Sequence, residues 1–170
     1  MNKITIQDIK NFKANKVPFA TLTAYDFVSS QILDGIGIPL ILVGDSASMT
    51  VYGYDTTIPI SMEEMLLVVR AVCRGAKYSL VVADMPFLSY QPSVEETIKN
   101  AGVLIKKGGA SAVKLEGGVR VADNIKALVD HGIPVLGHVG LTPQSYNQLS
   151  GYKIQGKTPE EGEKIINDAI

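Results

Sequence analysis

Three short apolar runs in this chain each end in an acid. Leu40-Ile41-Leu42-Val43-Gly44-Asp45-Ser46 sets a carboxylate and a hydroxyl behind four apolar residues. Ser79-Leu80-Val81-Val82-Ala83-Asp84 repeats the device, and Ala112-Val113-Lys114-Leu115-Glu116 does so again with a lysine two positions before the acid. Asp45, Asp84 and Glu116 together suit a hard divalent cation held through oxygen. With two histidines and one cysteine in the chain, a thiolate or imidazole zinc cage is not expected. Lys114 and Glu116, two apart on a strand, point the same way. Either they face a bound molecule, Lys114 neutralising its carboxylate, or they form a structural ion pair in the interior. Asp45 and Asp84 have helix capping or loop solubilisation as their alternative, and Ser46 has a simple turn. His138, closing the run Val135-Leu136-Gly137-His138, reads as a proton relay, a substrate contact or a satisfied structural histidine.

Such acids need strands that deliver them to one rim. Apolar runs with a β-branched bias read as strands buried on both faces, and parallel α/β folds place ligand chemistry at the C-terminal ends of those strands. A first strand is expected over Phe19–Tyr25 and helices over about 5–13 and 28–36, the second stopped by Gly37 and Pro39. Ser46 to Pro59 reads as a loop, in which Tyr52–Pro59 is either a cover for the site or an oligomer contact. Ser61 caps a helix reaching about Arg74, and Ser93-Val94-Glu95-Glu96 reads as a capping box opening a helix to Lys107. Further helices are expected near Val121–His131 and after Thr158-Pro159, with a glycine-rich loop between His138 and Lys157. Met62, Met65, Leu66 and Val69 have helical spacing and belong to core or interface, and Cys73 belongs to the core. Lys106-Lys107 and Glu63-Glu64 read as helix-surface charges.

The pattern is about five strand–helix units, which fits either a (β/α)₈ barrel or an open doubly wound sheet. No G-x-G-x-x-G follows the first strand, and acids stand at three adjacent strand ends, so the barrel is favoured. A closed barrel takes eight units and typically about 250 residues. The 170 residues are expected to form a single, partial barrel domain.

Composition excludes several function classes. The net charge of −1 and pI near 6.1 offer no electrostatic capture of nucleic acid or an anionic membrane. No apolar run is long enough to span a bilayer, and the N-terminus lacks a signal-type apolar stretch. A lone cysteine, Cys73, points to a reducing cytoplasm.

Several segments together resemble the ketopantoate hydroxymethyltransferase family. They are Thr21-Leu22-Thr23-Ala24-Tyr25-Asp26, Leu42-Val43-Gly44-Asp45-Ser46, Arg74-Gly75-Ala76, Val82-Ala83-Asp84-Met85-Pro86-Phe87, Val113-Lys114-Leu115-Glu116-Gly117-Gly118 and Gly137-His138-Val139-Gly140-Leu141-Thr142-Pro143-Gln144. The resemblance implies a Mg²⁺-dependent barrel, usually a homodecamer, that takes 3-methyl-2-oxobutanoate to 2-dehydropantoate in pantothenate and coenzyme A biosynthesis. 5,10-Methylenetetrahydrofolate is its one-carbon donor. It further implies Asp45, Asp84 and Glu116 at the metal, and Asp45, Ser46, Asp84 and Lys114 at the substrate. The family's catalytic glutamate is expected at the end of a sixth strand, beyond Ile170, so no base is assigned. Two other readings stand beside it. One is another Mg²⁺-dependent 2-oxo acid barrel enzyme of the phosphoenolpyruvate mutase and isocitrate lyase kind, and the other is a truncated, non-catalytic chain.

Overall fold

The computed structural model describes residues 2–170. Five strands, β1 (Thr21–Thr23), β2 (Leu40–Val43), β3 (Leu80–Asp84), β4 (Ala112–Glu116) and β5 (Val135–His138), form one parallel sheet in sequential order. That order settles the architecture. A doubly wound sheet reverses its strand order and carries helices on both faces. Sequential order with right-handed crossovers keeps the helices on one face, as in a (β/α)₈ barrel.

The two sheet faces have different partners. Ile41, Val43, Val81, Ala83, Val113 and Leu115 pack outward against α2 (Phe27–Gly35), α4 (Met62–Gly75), α5 (Val94–Val103) and α6 (Ala122–Asp130). On the opposite face Leu40, Leu80, Val82 and Ala112 form a smaller cluster. Ile6 and Ile9 of α1 (Ile6–Ala14) cover that cluster at the start of the strands. The inner face is therefore apolar at its N-terminal end and becomes charged at Asp84, Lys114 and Glu116, two to four residues further along. Period-two alternation makes this change of character possible within strands buried throughout their length.

Local signals place the helix starts, with some differences from expectation. Full capping boxes open α1, between Thr5 and Asp8, and α4, where the Ser61 hydroxyl accepts from the Glu64 N–H and the Glu64 carboxylate accepts from the Ser61 N–H at 2.8 Å. At α5 only half of the expected box forms: Ser93 accepts from the Glu96 N–H at 3.1 Å, while Glu96 turns to Lys99. Residues Leu104–Gly108 continue α5 as a π-helical turn. A Cβ at Gly108 would come within 2.8 Å of Val69, so this tight passage needs glycine. The segment read as loop from Ser46 to Pro59 opens with a short helix, α3 (Ala47–Thr50), and the loop after β5 holds a 3₁₀ turn (Pro143–Ser145) and α7 (Tyr146–Leu149). The last helix is α8 (Pro159–Ala169). β1 is shorter than its apolar run. Cys73 is partly buried against the outer core, which pushes its thiol up to about 11 and leaves it inert. Among the described residues no helix is long and apolar enough to cross a membrane.

Candidate active site

Ladder register assembles the site. Asp84 lies opposite Lys114 across the β3–β4 pair, and Glu116 lies opposite His138 across β4–β5. Lys114 Nζ donates to both Asp84 oxygens at 2.7 Å and to Glu116 Oε1 at 3.3 Å. His138 Nδ1 is 2.9 Å from the same Glu116 oxygen. Asp45 follows the end of β2, and its N–H donates to Asp84 Oδ2 at 3.3 Å. Asp45, Asp84, Lys114 and Glu116 are all buried. Asp45 and Asp84 make no side-chain cap bond to any helix here, so their burial has another cause.

Ser46 stands at the start of α3 without capping it. Its Oγ lies 2.8 Å from the Tyr25 hydroxyl instead. Segment 52–59 is pinned from within, since Ser48 Oγ donates to the Thr56 carbonyl at 2.6 Å.

Charge at this rim does not balance. Three buried carboxylates face one ammonium, which leaves a net charge of −2 when all are ionised and His138 is neutral. Burial alone would push the Lys114 ammonium down, but Asp84 and Glu116 outweigh it and hold the group above its ordinary value. Burial likewise works against Glu116, yet His138, Lys114 and the Gln144 N–H keep its carboxyl below the usual range. Burial raises the Asp84 carboxyl even though Lys114 pulls it down, and the same penalty falls on Asp45. Its carboxyl is pushed up to about 7, first by burial and then by the charge of Asp84. A divalent cation beside Asp45 and Asp84 would remove that excess charge. Among the described residues no three acidic, histidine or cysteine side chains converge to enclose a metal alone. Mg²⁺ does not need that, since one or two carboxylates with water and substrate suffice. The donor set therefore fits Mg²⁺.

Sequence reading missed two further members. Gln144, after β5, is buried; its Nε2 donates to Asp45 Oδ2 at 2.9 Å and to the Met85 carbonyl at 2.8 Å. Its Oε1 accepts from the Tyr90 hydroxyl at 2.7 Å and from Gln91 at 3.1 Å. Tyr90 is fully buried and also accepts the Glu116 N–H at 3.1 Å. Neither residue is charged or periodic, so only its place in a resembling segment or an apolar core could have marked it. Behind this wall lies a cavity of about 430 Å³, lined in part by Phe87, Tyr90, Gln91, Glu116, Asn124 and Gln144.

Comparison with solved structures defines the fold class. The chain superposes on phosphonopyruvate hydrolase in complex with oxalate and Mg²⁺ with a TM-score of 0.64 at 15% identity, covering 94% of this chain and 66% of that one. It matches 2,3-dimethylmalate lyase, a PEP mutase/isocitrate lyase superfamily member, with a TM-score of 0.62 at 13% identity, covering 95% and 66%. At such identities the likeness defines the fold alone, a parallel β/α barrel architecture.

Sequence comparison is more specific. Residues 3–170 match the ketopantoate hydroxymethyltransferase family, and the chain belongs to it. It is 56% identical over 167 residues to the 3-methyl-2-oxobutanoate hydroxymethyltransferase of Dehalococcoides mccartyi (strain CBDB1), covering 98% of this chain and 60% of that protein. The enzyme of the same name from Thermoanaerobacter pseudethanolicus is 53% identical, with 98% and 61% covered. The chain thus spans about 60% of the length of these curated relatives.

Proposed function

We propose that this chain carries the metal- and substrate-binding rim of a 3-methyl-2-oxobutanoate hydroxymethyltransferase. The observation that carries the reading is the pair Asp45 and Asp84, buried side by side with more negative charge than Lys114 offsets. In the reaction, 3-methyl-2-oxobutanoate loses its C3 proton and the resulting carbon takes up the one-carbon unit of 5,10-methylenetetrahydrofolate as a hydroxymethyl group, with water supplying its oxygen, giving 2-dehydropantoate and tetrahydrofolate. A tertiary C–H beside a ketone is a poor acid near neutral pH. Mg²⁺, when bound, supplies Lewis-acid stabilisation of the enolate oxygen.

Asp45 and Asp84 are the proposed direct ligands, Asp84 by giving up one of its two bonds to Lys114, with Glu116 held behind them through water. Lys114, charged and buried, draws the substrate carboxylate to the same rim. Ser46 donates to the keto acid once its hydroxyl leaves Tyr25. His138 is committed through Nδ1 to Glu116 and orients it; no described residue is assigned as the base. A homo-oligomer in the reducing cytoplasm completes the proposal, resting on family membership and on the single cysteine.

The test is proton NMR of 3-methyl-2-oxobutanoate in D₂O with this protein, first with Mg²⁺ and then with EDTA. Mg²⁺ binding by folded protein is the expected result, and Mg²⁺-dependent loss of the C3 signal without folate would in addition show a base among these residues. Folded, Mg²⁺-binding protein that gives no exchange would show the metal rim without its base. Absence of both exchange and Mg²⁺ binding would overturn the assignment of Asp45 and Asp84.

A further inference from the structure

Gln144 uses its whole amide. Two acceptors, the Asp45 carboxylate and the Met85 carbonyl, take its two N–H protons, and two donors, Tyr90 and Gln91, fill its carbonyl. This pattern fixes which end of the amide is nitrogen, because a flipped amide would set carbonyl oxygen against two acceptors. The residue's backbone N–H also donates to Glu116 Oε2 at 3.1 Å. One residue thus holds an oxygen on each of two acids at the ends of different strands, Asp45 after β2 and Glu116 on β4. Tyr90 locks the arrangement from behind, bonded to both the Gln144 amide and the Glu116 backbone.

Direction matters here. The amide takes Asp45 Oδ2, and no hydrogen bond among the described residues ends on Oδ1. Glu116 has Oε2 on the Gln144 N–H and Oε1 on Lys114 and His138. Asp45 is therefore turned so that one oxygen remains for a ligand, while Glu116 is held on every side. A carboxylate free to rotate would spread its charge over several positions and lose affinity for a cation fixed by the other groups.

We propose that Gln144, held by Tyr90, is the positioning residue of this rim, fixing the Asp45 carboxylate for a divalent cation and tying it to Glu116. The inference rests on the metal reading above and adds a residue to which that reading gives no part. A purely structural role would be different: Gln144 would pin the loop after β5 to the top of the sheet, and its loss would lower stability without changing the affinity of folded protein for metal.

The experiment is calorimetric titration of the full chain with Mg²⁺ alone, with circular dichroism to establish folding. The proteins are the wild type, Gln144→Met, Tyr90→Phe and, as a control on the metal reading, Asp84→Asn. Gln144→Met keeps side-chain length but removes all four amide bonds. Tyr90→Phe keeps the amide but frees it to turn. Expected are Mg²⁺ binding by wild type, its loss in Asp84→Asn, a rise in Kd of about tenfold or more in Gln144→Met, and a smaller rise in Tyr90→Phe. Wild-type Kd in both folded variants, whatever their melting temperatures, would overturn the proposal while leaving the metal reading intact. Wild type that does not bind, or binds no better than Asp84→Asn, would overturn the metal reading and this inference with it. If Gln144→Met does not fold, Tyr90→Phe decides.

Discussion

Asp45 is where burial and charge repulsion meet, and its titration has a sign that can be tested. Its folded pKa of about 7 stands above the ordinary carboxylate value. Between about pH 4 and pH 7 the folded protein retains a proton that the unfolded chain has released, so stability falls as pH rises through that window. Asp45→Asn removes the penalty and can still accept the Gln144 amide. In EDTA this variant should be more stable than wild type at pH 8, by up to roughly 4 kcal/mol, and equal to it near pH 4. Urea unfolding at the two pH values checks this. Saturating Mg²⁺ should reverse the order at pH 8, because only wild type gains binding energy. Asp84 is raised by burial as well, but it has Lys114 as a partner. Asp84→Ala strands the buried Lys114 ammonium and should cost about 3–5 kcal/mol. The double variant with Lys114→Met should recover most of that loss, and a recovery below about 1 kcal/mol would show that the pair is not the source.

Helix ends and helix contacts carry the rim without touching it. Gly75 closes α4 where it meets α2: a Cβ there would lie 2.7 Å from the Phe27 carbonyl and 2.9 Å from Ser30 Cβ. Gly75→Ala should force the two helices apart at about 1–3 kcal/mol. In a chain of 170 residues each kcal/mol lowers the melting temperature by about 2–4 °C. Ser61→Ala breaks the α4 capping box and should cost about 1 kcal/mol. Differential scanning calorimetry reads both. Because the distortion stays on the outer layer, Mg²⁺ affinity of the folded variants should remain that of wild type.

Across the whole molecule, stability should grade from the centre of the sheet outward. β3 and β4 are buried at every position and paired on both sides, whereas β1 is exposed at all three residues and β5 is only partly covered. Hydrogen exchange followed by mass spectrometry should find the slowest amides in Leu80–Asp84 and Ala112–Glu116, and much faster exchange in Thr21–Thr23. The rim straddles this gradient: Asp84, Lys114 and Glu116 sit on the rigid centre, and His138 sits on the looser strand. Equal protection across all five strands would show a more uniform sheet than these burial patterns describe.

The sequence by itself determined the strands, their acids and most helix starts, because each is a local matter. Alternation along Leu80–Asp84 and Ala112–Glu116 sets which side chains share a face, and Ser61 or Thr158 before acids marks a helix start within four residues. The identity of the half-box at Ser93 escaped it, since Glu96 had Lys99 as a competing partner. Tertiary structure alone decided how the acids are used. Register set Lys114 on Asp84 and His138 on Glu116. The path of the loop after β5 brought Gln144 to Asp45 across 99 positions of sequence. A neutral amide has no charge, periodicity or spacing that signals its partner. Its role comes from the packing that aims all four of its hydrogen bonds at once.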